Sequence, residues 1–213
     1  MKTDLRPEDA VGSIAGCRPL VAPPGGKTLE VKRNHKIDIA DDGLITIVGG
    51  KLTTSRHMAE QTVDAAQKVI GKSGRCQTKK AYLLGAAGYD AQAIIATGGM
   101  QAHLGERYGT EACFVSDILQ ADPASAAPIV QGLPHSEAEV IYAVRHEMAA
   151  TVDDVLSRRM RARMNARDAS AHSAARVGQI LQSELGLSEQ IIAQQVADYT
   201  ASVAREKSIL LGE

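Results

Sequence analysis

The sequence predicts a two-part chain of mixed class: a short strand-rich segment with one helix, followed by an all-α domain. Three observations predict it. Apolar residues alternate at period two before Gly50, and they recur at three- and four-residue steps after it. Aromatic residues make up only 3% of a chain in which alanine is abundant, and small helix-favouring side chains let helices approach closely. At 213 residues, 44% apolar and 23% charged, the chain can bury one large core or two small ones and is too apolar for intrinsic disorder. The 19 glycines and 7 prolines exclude a collagen-like or low-complexity chain. A net charge of −1 argues against a protein that grips phosphate backbones over a broad face, so no nucleic-acid partner is expected.

The elements follow in order. Met1-Lys2-Thr3-Asp4-Leu5-Arg6-Pro7 has no apolar run behind its charges and does not read as a signal peptide. No stretch approaches the roughly 18 apolar residues of a spanning helix. Cys17, Cys76 and Cys113 are odd in number and form no CxxC pair, which suits reduced thiols in a cytosolic protein. Val11 to Val21 is a short apolar segment around Arg18-Pro19, closed by the loop Pro23-Pro24-Gly25-Gly26. Lys27 to Ile39 alternates through Leu29, Val31, Ile37 and Ile39 and reads as a half-buried strand. Asp41-Asp42-Gly43 makes a turn, and Leu44 to Val48 reads as a buried strand. Two or three strands and one helix are near the lower limit for an independent core, so this part reads as a piece of a larger sheet.

Gly49-Gly50 ends the last strand. A helix then carries Met58, Thr62, Ala65, Ala66, Val69 and Ile70 on one face, with Thr53 or Thr54 as its N-cap and Gly71 at its end. From about Arg75 the spacing predicts helices over 90–103, 110–120, 136–149, 152–167, 169–185 and 188–207. The domains expected are therefore 1–74, incomplete, and 75–213, helical.

The densest candidate site is Val48-Gly49-Gly50-Lys51-Leu52-Thr53-Thr54, a strand running through glycines into a helix. That order gathers free backbone N–H groups and the positive end of a helix dipole, and the glycines let an anion or a flat ring come close. It is not a P-loop, because Ile45 stands where the first glycine belongs and Leu52 where Ser or Thr must follow the lysine. By themselves these residues fit two readings: an anion or cofactor loop, and an ordinary strand-to-helix turn with an exposed lysine.

Arg18, in an apolar segment, either meets an anion or points to solvent, whereas Arg33 and His35 suit a solvated strand face. His146-Glu147 begins like a zinc-protease helix, but Ala150 occupies the second histidine position, so no metal site is expected. Arg158, Arg159, Arg161, Arg163 and Arg167 sit beside Asp153, Asp154 and Asp168 and read as an ion-paired helix. Neither GxGxxG nor GxSxG occurs.

Several of these segments carry a resemblance. Gly16-Cys17-Arg18-Pro19-Leu20, Arg33-Asn34-His35, the run from Gly43 to Thr54, Met58-Ala59-Glu60 and Thr62 to Ala66 resemble the carboxy-terminal part of the FAD-dependent glycerol-3-phosphate dehydrogenases. Tyr108-Gly109-Thr110-Glu111, Gly132-Leu133-Pro134, Ala138 to Ala149 and Thr151 to Arg159 are similar to that family's helical carboxy-terminal domain. The likeness runs in order from about Val11 to Tyr199.

The resemblance implies an enzyme that oxidises sn-glycerol 3-phosphate to dihydroxyacetone phosphate. A hydride goes to FAD and electrons then pass to a membrane quinone, or to oxygen in the related oxidases. It implies that Arg18 binds the anionic substrate and that Lys51 sits at flavin and substrate in a catalytic role. Gly49, Gly50, Leu52 and Thr53, with Lys51, would hold the cofactor. Cys17 stands where the family usually has a bulkier residue, and Ser55 where it usually has tyrosine.

The family's amino-terminal FAD domain is absent from this chain. The strand-rich part is then the remnant of an FAD-binding α/β domain, and the chain alone is expected to retain little FAD and to be inactive. The resemblance also implies a cytoplasmic protein with peripheral association to the inner face of the membrane, and it allows a homo-oligomer. A second class of reading makes the helical domain an interaction or oligomerisation module without chemistry of its own.

Overall fold

The structure, a computed structural model, describes residue 4, residues 6–17 and residues 34–212. Contacts divide the chain into a unit of residues 15–83 and a unit of residues 84–213 joined by the described residues up to Ile14.

In the smaller unit, β1 (Lys36–Ile39) pairs antiparallel with β2 (Ile45–Val48), with Lys36 opposite Val48 and Ile39 opposite Ile45. The hairpin turn closes through Ala40 N–H to the Leu44 carbonyl (2.9 Å) and Gly43 N–H to the Ala40 carbonyl (2.9 Å). The Asp42 carboxylate accepts from Leu44 N–H at 3.0 Å, the local bond that makes Asp a turn residue. Of the strand expected over 27–39, residues 36–39 are seen as strand, and residues 18–33 lie outside the described residues. The helix α1 (Ser55–Val69) keeps the expected period, with Met58, Thr62, Ala65 and Ala66 half-buried, although Val69 and Ile70 are exposed. It ends in a Schellman pair, Lys72 N–H to the Gln67 carbonyl (2.7 Å) and Gly71 N–H to the Lys68 carbonyl (3.2 Å).

The larger unit is a helical assembly of α2 (Ala91–Thr97), α3 (Gly99–Tyr108), α4 (Ala112–Ala121), α5 (Glu137–Glu147), α6 (Ala162–Asn165), α7 (Arg167–Leu185) and α8 (Glu189–Leu211). Two of the expected helices are each two pieces. The segment 90–103 breaks at Gly98 and Gly99, whose φ values of 67° and 56° turn the chain so that α3 folds back on α2. Gly105 of α3 then lies against Ile94, so close that a β-carbon would be 2.4 Å from the isoleucine. The segment 152–167 holds a π-helical stretch, Asp154–Arg159, and a left-handed Arg161 (φ 55°) before α6. Thr151 and Asp154 start that stretch reciprocally: Asp154 N–H donates to Thr151 Oγ1 (3.0 Å), while the carboxylate accepts from the Ala150 and Thr151 N–H groups (3.1 Å each).

The main core joins α5, the π-helical stretch, α7 and α8 around Val152, Leu156, Met160, Val177 and Leu181. A second cluster, Leu104, Tyr108, Val115, Ile118, Ala138 and Tyr142, joins α3, α4 and α5. Small residues set the approach of α7 to α8. A β-carbon at Gly178 would meet Ile192 Cγ2 at 2.8 Å and Val196 Cγ2 at 3.1 Å. Gly178→Leu is expected to destabilise this unit by about 1–3 kcal/mol through overpacking, read as a lower urea midpoint at unchanged slope. An unchanged midpoint would show that α8 shifts freely.

Residues near the start of the chain pack on this helical unit, not on the strands with which the sequence reading grouped them. Arg167 N–H donates to the Val11 carbonyl at 2.8 Å, and Ser13 donates N–H and Oγ–H to Glu206, each at 2.9 Å. Burial tends to raise the Glu206 carboxyl, but the bonds from Arg163 and Ser13 outweigh it and hold the group below its ordinary value.

Candidate functional site

β2 delivers the chain to Gly49 and Gly50, whose φ values of 76° and 90° lie where glycine alone is unstrained. A β-carbon on Gly50 would also stand 2.4 Å from Met58 Sδ, so the turn can press against α1 only without one. Lys51 then returns to extended backbone, exposed, at the head of the single 3₁₀ turn Leu52–Thr54. Thr54 gives both its N–H and its hydroxyl hydrogen to the Lys51 carbonyl, each at 3.0 Å. Having used its hydroxyl there, Thr54 stands at the N-cap of α1 without a side-chain capping bond. The 3₁₀ turn runs straight into α1, with Ser55 N–H donating to the Leu52 carbonyl, so the positive end of this helical run lies beside Lys51, which makes no side-chain cap.

The surroundings of this turn are basic. His35, on the approach to β1, shares a hydrogen bond with Gln61 of α1 and meets the His57 ring edge-on at 6.0 Å. Arg56 pairs with Glu60 at 2.9 Å and donates to Thr78 Oγ1 at 3.1 Å. The bond from Arg56 holds the Glu60 carboxyl below its ordinary value, so that charge is neutralised locally. Lys51 has no ion-pair partner among the described residues, and neither the Gly50 nor the Lys51 N–H has a hydrogen-bond acceptor among them. A cation, two unbonded amides and a helix start without a side-chain cap therefore meet on one short turn, an arrangement suited to an anion or to an electron-rich ring edge.

Gly49, Gly50, Lys51, Leu52 and Thr53 stand together on that turn, with the Leu52 side chain 90% exposed. Arg18 and Arg33 lie outside the described residues.

In the helical unit, His146 is stacked between Phe114 and Tyr142, with ring centroids at 5.0 and 4.8 Å. Three arginines of the basic run pair with the neighbours the sequence places beside them, Arg158 with Asp153 (2.6 Å), Arg159 with Asp154 (3.5 Å) and Arg167 with Asp168 (3.1 Å), and Arg163 pairs with Glu206 (2.8 Å) from α8. Arg161 is the exception. It has no partner among the described residues, and it lines a cleft of about 590 Å³ together with Arg107, Arg158 and Arg159.

Sequence reasoning also missed a buried carboxylate. Glu139 is 0% exposed, yet it is surrounded by donors. Its Oε2 accepts from Ser136 N–H at 2.8 Å, and its Oε1 accepts from Tyr108 O–H at 3.1 Å and lies 3.1 Å from a nitrogen of both His103 and His135. Burial favours the neutral acid, but the His135 and Ser136 hydrogen bonds and the two histidines outweigh it, holding the carboxyl below its ordinary value. The signal available in the sequence was the capping box Ser136-x-x-Glu139, a local feature. Nothing local points to His103.

Residues 76–192 match the family described as the C-terminal domain of alpha-glycerophosphate oxidase. Glycerol-3-phosphate dehydrogenase 2 of Mycobacterium tuberculosis is 33% identical over 219 residues, covering 97% of this chain and 37% of the relative. Glycerol-3-phosphate dehydrogenase 1 of the same organism is 35% identical over 171 residues, 78% of this chain and 33% of the relative. The mitochondrial glycerol-3-phosphate dehydrogenase of Mesocricetus auratus is 34% identical over 199 residues, 87% of this chain and 27% of the relative. The chain spans about a third of the length of the curated relatives it matches.

Proposed function

Because the chain belongs to the family of the C-terminal domain of alpha-glycerophosphate oxidase, we propose that it forms the carboxy-terminal part of an FAD-dependent enzyme oxidising sn-glycerol 3-phosphate to dihydroxyacetone phosphate. The observation that carries this reading is the turn from Gly49 to Thr54, with two left-handed glycines, and with amides and a Lys51 that have no partner among the described residues. FAD, when bound, supplies the acceptor for the hydride leaving the secondary alcohol carbon.

The chain's own residues fit such a group. Gly49, Gly50, Leu52 and Thr53 would hold it through main-chain atoms, since a flat ring can approach a backbone that lacks side chains. The positive start of the helical run at Lys51 would favour negative charge at the ring edge it faces. The Lys51 ammonium would lower the cost of charge developing on the substrate oxygen as its proton leaves. Arg18 would take the phosphate, its planar fork reaching two oxygens at once.

Electrons would then pass to a quinone, with oxygen as the alternative acceptor because the matching family description names an oxidase. Peripheral attachment to the membrane suits a quinone acceptor, and no helix among the described residues is long and apolar enough to cross a membrane.

The unit of residues 15–83 has no buried residue among those described, and Ile37, Ile45 and Ile47 are only half-covered. The two strands and one helix described there cannot dry that surface alone. The 213-residue chain is therefore expected to purify without flavin and to reduce no dye on addition of glycerol 3-phosphate. Joining a family amino-terminal half should restore both colour and activity. Stoichiometric flavin in the chain alone would overturn the expectation of inactivity. A joined protein that holds flavin but ignores glycerol 3-phosphate would overturn the substrate.

A further inference from the structure

We propose that His103, His135 and Glu139 form a site for one divalent cation of the zinc class, within the helical unit and separate from the glycine turn. The three residues come from different elements: α3, the loop that enters α5, and the first turn of α5. One nitrogen of each imidazole and one carboxylate oxygen lie within 4.8 Å of one another. His103 Nε2 and His135 Nδ1 each stand 3.1 Å from Glu139 Oε1. Zinc held at about 2.0–2.1 Å by such atoms spaces its ligands at about 3.3 Å, so the two histidine-to-carboxylate separations are close to those of a coordination shell.

The donor set also discriminates. Two imidazoles and a carboxylate suit zinc and its neighbours in the first transition row, whereas calcium and magnesium prefer all-oxygen shells. Around the ligands stands the kind of support that fixes a metal site. Ser136 N–H holds Glu139 Oε2 at 2.8 Å, and Tyr108 O–H holds Oε1 at 3.1 Å. The His103 and His135 rings meet edge-on at 5.4 Å, which restricts the tilt of each. Glu139 is fully buried and His135 is 5% exposed, so water competes little for the ion. A cavity of about 240 Å³, walled by Met100, Pro128 and Leu133, borders both imidazoles and leaves room for a fourth ligand.

Arg107 Nε, 3.4 Å from Oε1, is the one cation among the described residues that opposes an ion here. Its guanidinium is independently held by the Tyr108 hydroxyl and the Arg159 carbonyl, so it keeps its place when the carboxylate turns to a metal. Without the ion the facing nitrogens donate to Glu139; on binding, each imidazole takes the tautomer whose proton resides on its other ring nitrogen, freeing the facing lone pair for the metal.

The test uses the full 213-residue chain, stripped with a chelator, incubated with zinc sulfate and passed through gel filtration. One zinc per chain is expected by elemental analysis. Cobalt(II) in its place should give the visible bands of a tetrahedral ion. His103→Gln and His135→Gln should each weaken zinc binding about tenfold or more, whereas His172→Gln should leave it unchanged. A wild-type chain that emerges without zinc overturns the proposal, as does zinc binding that survives both variants or a cobalt spectrum that is octahedral only. Should one variant fold poorly by circular dichroism, the other variant and the wild-type cobalt spectrum still decide.

Discussion

Lys51→Ala, in the flavin-loaded protein joined to an amino-terminal half, is expected to slow glycerol-3-phosphate-dependent dye reduction by about 10²–10³-fold. The size follows from the role proposed for the ammonium, since removing one preorganised charge or donor from a developing oxyanion typically costs that much. The structure makes the experiment clean. Lys51 is exposed, heads a short turn, and has no ion pair among the described residues, so its truncation removes no contact that holds the fold. Flavin content and thermal stability should therefore remain at the wild-type level while kcat falls. Arg18→Ala should act differently, mainly raising KM, because a phosphate contact distant from the reacting carbon binds ground state and transition state alike. An unchanged rate in Lys51→Ala would take the lysine out of the site and return the turn to its other reading, an ordinary connection from strand to helix.

Glu139→Ala is expected to destabilise the helical unit by roughly 3–5 kcal/mol, the cost of removing one partner from a buried charged network. Four groups lose their acceptor together, Ser136 N–H, the Tyr108 hydroxyl and both histidines, and Arg107 loses its ion pair. The entry to α5 loses its capping box in the same step. Glu139→Gln retains a carbonyl oxygen near the Oε1 position and should cost clearly less. Urea unfolding followed by far-ultraviolet circular dichroism measures both changes. Equal stability in wild type and Glu139→Ala would mean that water satisfies those donors without the carboxylate.

How much of this was legible in the sequence depends on how far apart the cooperating residues lie. The hairpin of β1 and β2, the apolar face of α1 and the glycine turn between strand and helix are each settled by neighbours a few positions apart. The long α7 and α8 and the Gly186 between them are likewise local, resting on 3.6-residue periodicity and a left-handed cap. The break at Gly98 and Gly99 was written in the residues, but periodicity on both sides hid it. The π-helical stretch and left-handed Arg161 were not legible, because the 152–167 segment has a continuous helical pattern and only its packing interrupts it.

By itself, the sequence determined the mixed class, the helical character of the larger unit, the family likeness and the grouping of Gly49, Gly50, Lys51, Leu52 and Thr53 on one turn. All of these rest on local periodicity, turn chemistry or motif order. Tertiary structure alone decided that Val11 and Ser13 pack on the helical unit, that Arg163 reaches Glu206, and that His103 meets His135 around Glu139. The reason is physical. A buried carboxylate must collect donors from whatever elements the fold brings within hydrogen-bond reach, and those elements are neighbours in space, not along the chain.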